Sequence, residues 1–172
     1  HGKPDQGKNF RKCFESLKAN HTKLAKVRVS TREMEELIKT TGIAPEKVMR
    51  IPIGIDTEIF RPRTSESKKI SRLNLDIPED AIVIGSFQKD GIGWGEGLEP
   101  KLIKGPDIFL KVIGRLKPEI PDLPDGQAGL WVLLSGPSRG FVKKGLDSLG
   151  IPYRHRYLKS SPELTDLYDA LD

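Results

Sequence analysis

The sequence predicts an α/β fold, a Rossmann-like parallel sheet with flanking helices. Two apolar runs, AIVIGSF from Ala81 and LWVLLSG from Leu130, have the composition of strands covered on both faces. Between and after them lie segments whose apolar residues recur at helical spacing. Strand, helix, strand, helix, strand, helix in succession calls for parallel strands joined by right-handed crossovers.

The elements follow in order. Phe10, Phe14, Leu17 and Leu24 are spaced for an amphipathic helix over residues 8–24. KVRVS is a short strand. Ser30 and Glu33 have capping-box spacing, and Met34, Leu37 and Ile38 form the apolar face of the next helix. Gly42 suits its C-terminal end, APEKV suits one further turn, and MRIPIGI returns as a strand. DTEIFRPRTSESKK is polar and carries proline, so it reads as a linker.

AIVIGSF restarts the pattern. A long loop follows, then a helix from Gly105 with Ile108, Phe109, Val112, Ile113 and Leu116 on one side. PEIPDLPDGQAG connects to LWVLLSG, SRGFVKKGLDSLG is a helix, and IPYRHRYL is a third strand. The last helix has Ser160 and Glu163 in capping-box spacing, Pro162 in its first turn, and Leu164, Leu167, Tyr168 and Leu171 on one face. Boundaries fall at 1–60, a linker and lead-in at 61–78, and a second domain at 79–172. Three parallel strands make a small sheet, and the chain begins with His1 rather than Met. It therefore reads as the middle of a larger protein, with Val132, Leu133, Leu164 and Leu167 expected to lack cover.

Composition narrows the classes. The 172 residues are 36% hydrophobic and 31% charged, suiting a globular protein with a modest core. No apolar run approaches the roughly 20 residues that span a bilayer, and no signal peptide is visible. The net charge of +5 is spread along the chain rather than gathered. Without a basic patch interleaved with aromatics, a nucleic-acid partner is not expected. A single cysteine, Cys13, excludes an intrachain disulfide and fits a reducing compartment; beside an apolar stripe it reads as buried filler. His1, His21 and His155 lie far apart and lack metal-ligand spacing.

The loop from Gln88 to Lys104 raises the functional question. Loops beyond about 12–15 residues without internal structure are either functional or disordered. In open parallel sheets, ligands gather at the carboxyl ends of strands, where this loop lies. Lys104 precedes Gly105 and Pro106 at a helix start, where unpaired N–H groups and the dipole favour an anion. Gly91, Gly93, Gly95 and Gly97 let the backbone approach a ligand or keep the loop mobile. SGPSRG, from Ser135 through Gly136, is a second phosphate-compatible turn. GIGWGEG is no dinucleotide fingerprint, because its helix begins well downstream.

VRVSTREMEELIKTTGIAPEKVMRIPIGIDTEIFRP resembles the inter-domain passage of retaining GT-B glycosyltransferases of family 4, and KGPDIFLKVI with LGI and EL..LY resembles their donor domain. The resemblance covers nearly the whole chain. It implies a partial GT-B architecture: the end of an acceptor-side Rossmann-like domain in 1–60 and the start of a nucleotide-sugar donor domain in 79–172. Lys104 matches the lysine that contacts the donor diphosphate, with Gly105 beside it. Gly85 matches the glycine ending the first donor-domain strand. Where the family has arginine next, this chain has Ser86, leaving Gln88 or Lys89 to make the phosphate contact. Gly136 joins the donor-binding set, Tyr157 and Leu158 match the turn toward the nucleobase, and His1 matches a histidine that contacts the transferring sugar. The family's pair of glutamates would fall after Asp172, so the isolated segment is expected to be inactive.

The implied activity is transfer of a sugar, with retention, from a nucleotide sugar to a saccharide or lipid-linked acceptor. The nucleotide sugar is substrate, no cofactor and no metal are expected, and the remaining partner is the rest of the same enzyme. Location is expected to be cytoplasmic, with peripheral contact at the inner membrane face left open. The alternative is a non-catalytic nucleotide- or sugar-phosphate-binding module.

Overall fold

The computed structural model describes residues 2–158 and 162–172. His1 and Ser160, with their expected sugar contact and capping role, lie outside these. The chain divides into two compact units, His1–Asp56 and Thr57–Asp172.

In the first unit, helix α1 (Lys8–Asn20) precedes strand β1 (Val27–Val29), helix α2 (Arg32–Lys39) and strand β2 (Val48–Arg50). The two strands pair in parallel, Val27 opposite Val48, so this unit is a small βαβ element. Val29, Ile38 and Ile43 form its buried centre, with Phe14, Leu17 and Met34 packed against them. Thr31, rather than Ser30, caps α2; its Oγ1 accepts from the Met34 N–H at 3.2 Å. The expected strand MRIPIGI is cut short. Ile51 N–H donates to the Val29 carbonyl, Pro52 has no N–H to continue the ladder, and Ile53 and Ile55 are exposed. Cys13 is exposed on α1, not buried as its neighbours suggested.

In the second unit, strands β3 (Ile82–Phe87), β4 (Leu130–Ser135) and β5 (Tyr153–His155) form a parallel sheet in that order. Ile82 lies opposite Leu130, and Leu134 opposite His155. Helices α4 (Pro106–Leu116) and α5 (Gly140–Leu149) cover one face. There Ile113, Val142 and Leu146 pack on Val132 and Leu134. The other face is covered by helix α3 (Ser65–Asn74), the residues that follow it, and helix α6 (Pro162–Asp169). Here Leu75, Ile77, Leu167 and Ala170 meet Val83 and Leu133. Alternation along β4 thus sends Val132 and Leu134 one way and Leu133 the other.

Two expectations change. Val132 and Leu133 are fully buried, Leu167 is 2% exposed, and Leu164 packs against the same cluster. Helices on both faces give these residues the cover that three strands alone would not. Residues 61–78, expected as linker and lead-in, contain α3. Its N-terminus is a reciprocal capping box, Ser67 N–H to Thr64 Oγ1 and Thr64 N–H to Ser67 Oγ, each 3.0 Å. Its buried face is Ser71 and Arg72 instead of an apolar stripe. The Arg72 guanidinium donates to the carbonyls of Ala170 at 3.0 Å, Ala81 at 2.7 Å and Glu79, and to Asp172 Oδ2 at 2.6 Å. Among the described residues, no helix is long and apolar enough to cross a membrane.

Candidate functional site at the carboxyl edge of the sheet

The segment after β3 is an ordered strap rather than a free loop. Gly91 and Pro100 form an antiparallel bridge; Ile92 N–H donates to Glu99 O at 2.9 Å and Lys101 N–H to Asp90 O at 2.7 Å. Its far end rests on α5. Glu96 O and Gly97 O accept from the N–H groups of Gly140 at 2.8 Å and Phe141 at 2.9 Å, donors that a helix start leaves unpaired. The strap therefore occupies two of the N–H groups at the helix start that follows SGPSRG. Gly91 and Gly97 are needed for this approach: a Cβ on either would run into the Ser138 backbone. Gly93 and Gly95 have no such neighbour.

The strap returns to the sheet at Lys104. Residues Leu102–Lys104 form a 3-10 turn, Gly105 takes a left-handed conformation at φ 68°, and Pro106 starts α4. Gly105 N–H donates to Leu102 O at 2.8 Å and Pro106 has no N–H, so the first free helix donors are those of Asp107 and Ile108. Lys104 is exposed beside them. Asp107 places a carboxylate in the same turn, a negative group that an arriving anion must face.

Gln88 reaches this point directly: its Nε2 donates to Lys104 O at 3.0 Å. Gly136, at φ 92°, packs against the Gln88 carbonyl, where a Cβ would lie 2.9 Å away. Gln88, Lys104, Gly105 and Gly136 thus meet at one edge. Lys89 is directed elsewhere, its Nζ 3.7 Å from the Trp94 ring centroid. Gly85 lies inside β3, two residues short of its end, and its missing side chain leaves room for Leu171, 2.8 Å from where a Cβ would be. Tyr157 is exposed beyond β5, and Leu158 packs against the α3–α6 face of the core.

His155 joins β5 to β4 through Nε2 and the Gly136 carbonyl, 2.8 Å apart. A carbonyl only accepts, so Nε2 carries the proton. Burial holds the imidazole pKa below its ordinary 6.5 against that hydrogen bond, aided by the charges of Lys143 and Arg139. Among the described residues no cluster of three His, Cys, Asp or Glu side chains is placed to hold a metal ion.

Sequence reasoning missed Arg139 and Asp90, each 1% exposed. Arg139 donates to Ser86 Oγ at 2.8 Å and to the carbonyls of Gln88 and, at 3.4 Å, Ser135. Its Nη2 lies 3.2 Å from Asp90 Oδ2, yet neither Asp90 oxygen has a hydrogen bond. The pair is close enough for charge attraction but misaligned for donation. Burial raises the Asp90 pKa, partly offset by the Arg139 charge, and lowers that of Arg139, partly offset by Asp90. The available signal was an arginine at 139 in a chain with Ser86 after Gly85.

No protein-family model matches the chain. Among curated proteins, it is 30% identical over 152 residues to D-inositol 3-phosphate glycosyltransferase 1 of Catenulispora acidiphila, covering 82% of this chain and 32% of that protein. The D-inositol 3-phosphate glycosyltransferase of Stackebrandtia nassauensis is 30% identical over 151 residues, covering 83% and 31%. Over four fifths of its length the chain is similar to glycosyltransferases, as its resemblance to family 4 implied. It spans about a third of the length of these curated relatives. Among solved structures, Anabaena HepE in complex with UDP and glucose superposes with TM-score 0.65 at 14% identity, over 99% of this chain and 42% of that one. A Rickettsia africae glycosyltransferase gives TM-score 0.63 at 20% identity, over 91% and 40%. Both likenesses concern the fold, which is the Rossmann-like, partial GT-B architecture read from the sequence.

Proposed function

We propose that this GT-B chain contributes the diphosphate-binding edge of a retaining glycosyltransferase. The donor is a nucleotide sugar, and the acceptor is a saccharide or lipid-linked hydroxyl. The sugar C1–O bond to the diphosphate breaks, a bond from the acceptor oxygen forms on the same face of C1, and the acceptor proton leaves. The nucleoside diphosphate departs with the added negative charge.

Lys104 carries the reading: an exposed lysine just before the helix start that leaves the N–H groups of Asp107 and Ile108 free, at the carboxyl edge of a parallel sheet. Cation and helix donors together suit a leaving diphosphate whose charge grows in the transition state. The reading assigns this stabilisation to protein groups, and chelators should leave turnover unchanged. That HepE was crystallised with UDP supports a nucleoside diphosphate as the bound class.

Kinetic comparison of Lys104→Ala and Lys101→Ala in the complete protein tests it. Removing one preorganised contact should lower turnover about 10²–10³-fold in Lys104→Ala. Lys101→Ala, an exposed lysine three residues earlier, should cost less than about threefold. Equal small losses would place the diphosphate elsewhere. Saturable nucleotide binding with no transfer to any acceptor would favour the binding-module alternative.

A further inference from the structure

We infer that Arg139 is a positioning residue that sets the backbone of Lys104 from inside the protein; the inference rests on the diphosphate reading of Lys104. At 1% exposed, Arg139 is closed off from any ligand. Its guanidinium instead holds the outgoing leg of the strap directly and the returning leg through it. On the outgoing leg it donates to the Gln88 carbonyl and to Ser86 Oγ, and the Gln88 side chain donates to Lys104 O at 3.0 Å. On the same leg it attracts the Asp90 carboxylate, 3.2 Å away. Asp90 O accepts from Lys101 N–H at 2.7 Å, and Lys101 O accepts from Lys104 N–H at 2.8 Å. Both backbone polar groups of Lys104 therefore lead back to the same guanidinium.

A buried ion pair is weak evidence for stability, because desolvation offsets much of the attraction. This one is also poorly aligned, with both Asp90 oxygens and Arg139 Nε lacking hydrogen bonds. An apolar pair would fill the same space without that cost, but it would leave Ser86 Oγ and the Gln88 carbonyl without this donor. Arg139 supplies those bonds, and its five-donor fork suits several acceptors in different directions. The consequence is a lysine whose side chain stays exposed while its main chain is held.

The test is a double-mutant cycle on turnover in the complete protein, with Arg139→Lys, Lys104→Ala and the double variant. If Arg139 acts through Lys104, Arg139→Lys should cost about tenfold or more in the parent and under about threefold in the Lys104→Ala background. Equal losses in both backgrounds would overturn the inference. Should Arg139→Lys fail to fold, Gln88→Ala replaces it in the cycle; it leaves the Gln88 carbonyl in place and removes the link to Lys104. Amide hydrogen exchange is read in parallel. Arg139→Lys, or Gln88→Ala, should speed exchange at Lys104, while Val132 in β4 stays protected. If Lys104→Ala proves silent, the diphosphate reading fails and exchange alone judges the positioning. Unchanged exchange at Lys104, or equal acceleration at Val132, would overturn it.

Discussion

Replacing Arg72 by methionine keeps the aliphatic stem and removes a guanidinium that is 2% exposed. The carbonyls of Ala170, Ala81 and Glu79 lose their partner, and Asp172 keeps only Lys68, at 2.5 Å, and the Val83 N–H, at 2.8 Å. Removing one partner of a buried charged network costs about 3–5 kcal/mol, because the groups left behind stay desolvated. Domains of this kind are stable by about 5–15 kcal/mol, so roughly a fifth or more of the total is at stake. Urea unfolding followed by circular dichroism measures it. With a slope near 2 kcal/mol/M, the midpoint should fall by roughly 2 M at unchanged slope. Arg72→Lys should recover less than half, since one ammonium cannot reach Glu79, Ala81, Ala170 and Asp172 together. The pH dependence follows. Burial pushes the Asp172 carboxyl up, but its hydrogen bonds from Lys68, Val83 N–H and Arg72, with the Arg72 charge, hold it below its ordinary 3.8. Its contribution is present above the unfolded pKa and is lost as pH falls through the folded one. Arg72→Met should flatten that acid limb. A loss below about 1 kcal/mol would show that Arg72 is not the link between these elements.

Gly97→Ala combines a φ of 78° with a collision against the Ser138 backbone, and should cost about 1–3 kcal/mol in thermal unfolding. Gly95→Ala, with open space around it, should stay within about 0.5 kcal/mol; equal costs would mean that the strap does not rest on α5. His155 should titrate below 6.5 in a proton NMR pH series, with Nε2 protonated. Because its folded pKa is depressed, its contribution is present above the unfolded value and lost as pH falls through the folded one. A midpoint above 6.5 would contradict the burial of the imidazole ring.

The sheet was legible because β3 and β4 are buried on both faces and so leave uninterrupted apolar runs. Helix α3 was not, because its buried face carries Ser71 and Arg72, while the apolar Ile70 and Leu73 point outward. Periodicity reads apolar side chains, and a guanidinium satisfied by carbonyls is invisible to it. The site divides in the same way. Lys104 and Gly105 announce a helix start locally. Gln88 meeting Lys104, and Arg139 holding Ser86, Gln88 and Asp90, are long-range pairings with no local spacing. The glycines of the strap announced a close approach without saying to what; the structure gives the start of α5 as the answer for Gly91 and Gly97.

The most direct measurement follows backbone amide shifts of the 172-residue chain during titration with UDP. Saturable shifts should concentrate at Lys104, Asp107 and Ile108 and in the Gln88 side-chain amide, and should vanish in Lys104→Ala. Shifts confined to residues before Asp56, or unchanged in Lys104→Ala, would contradict a diphosphate site at the start of α4.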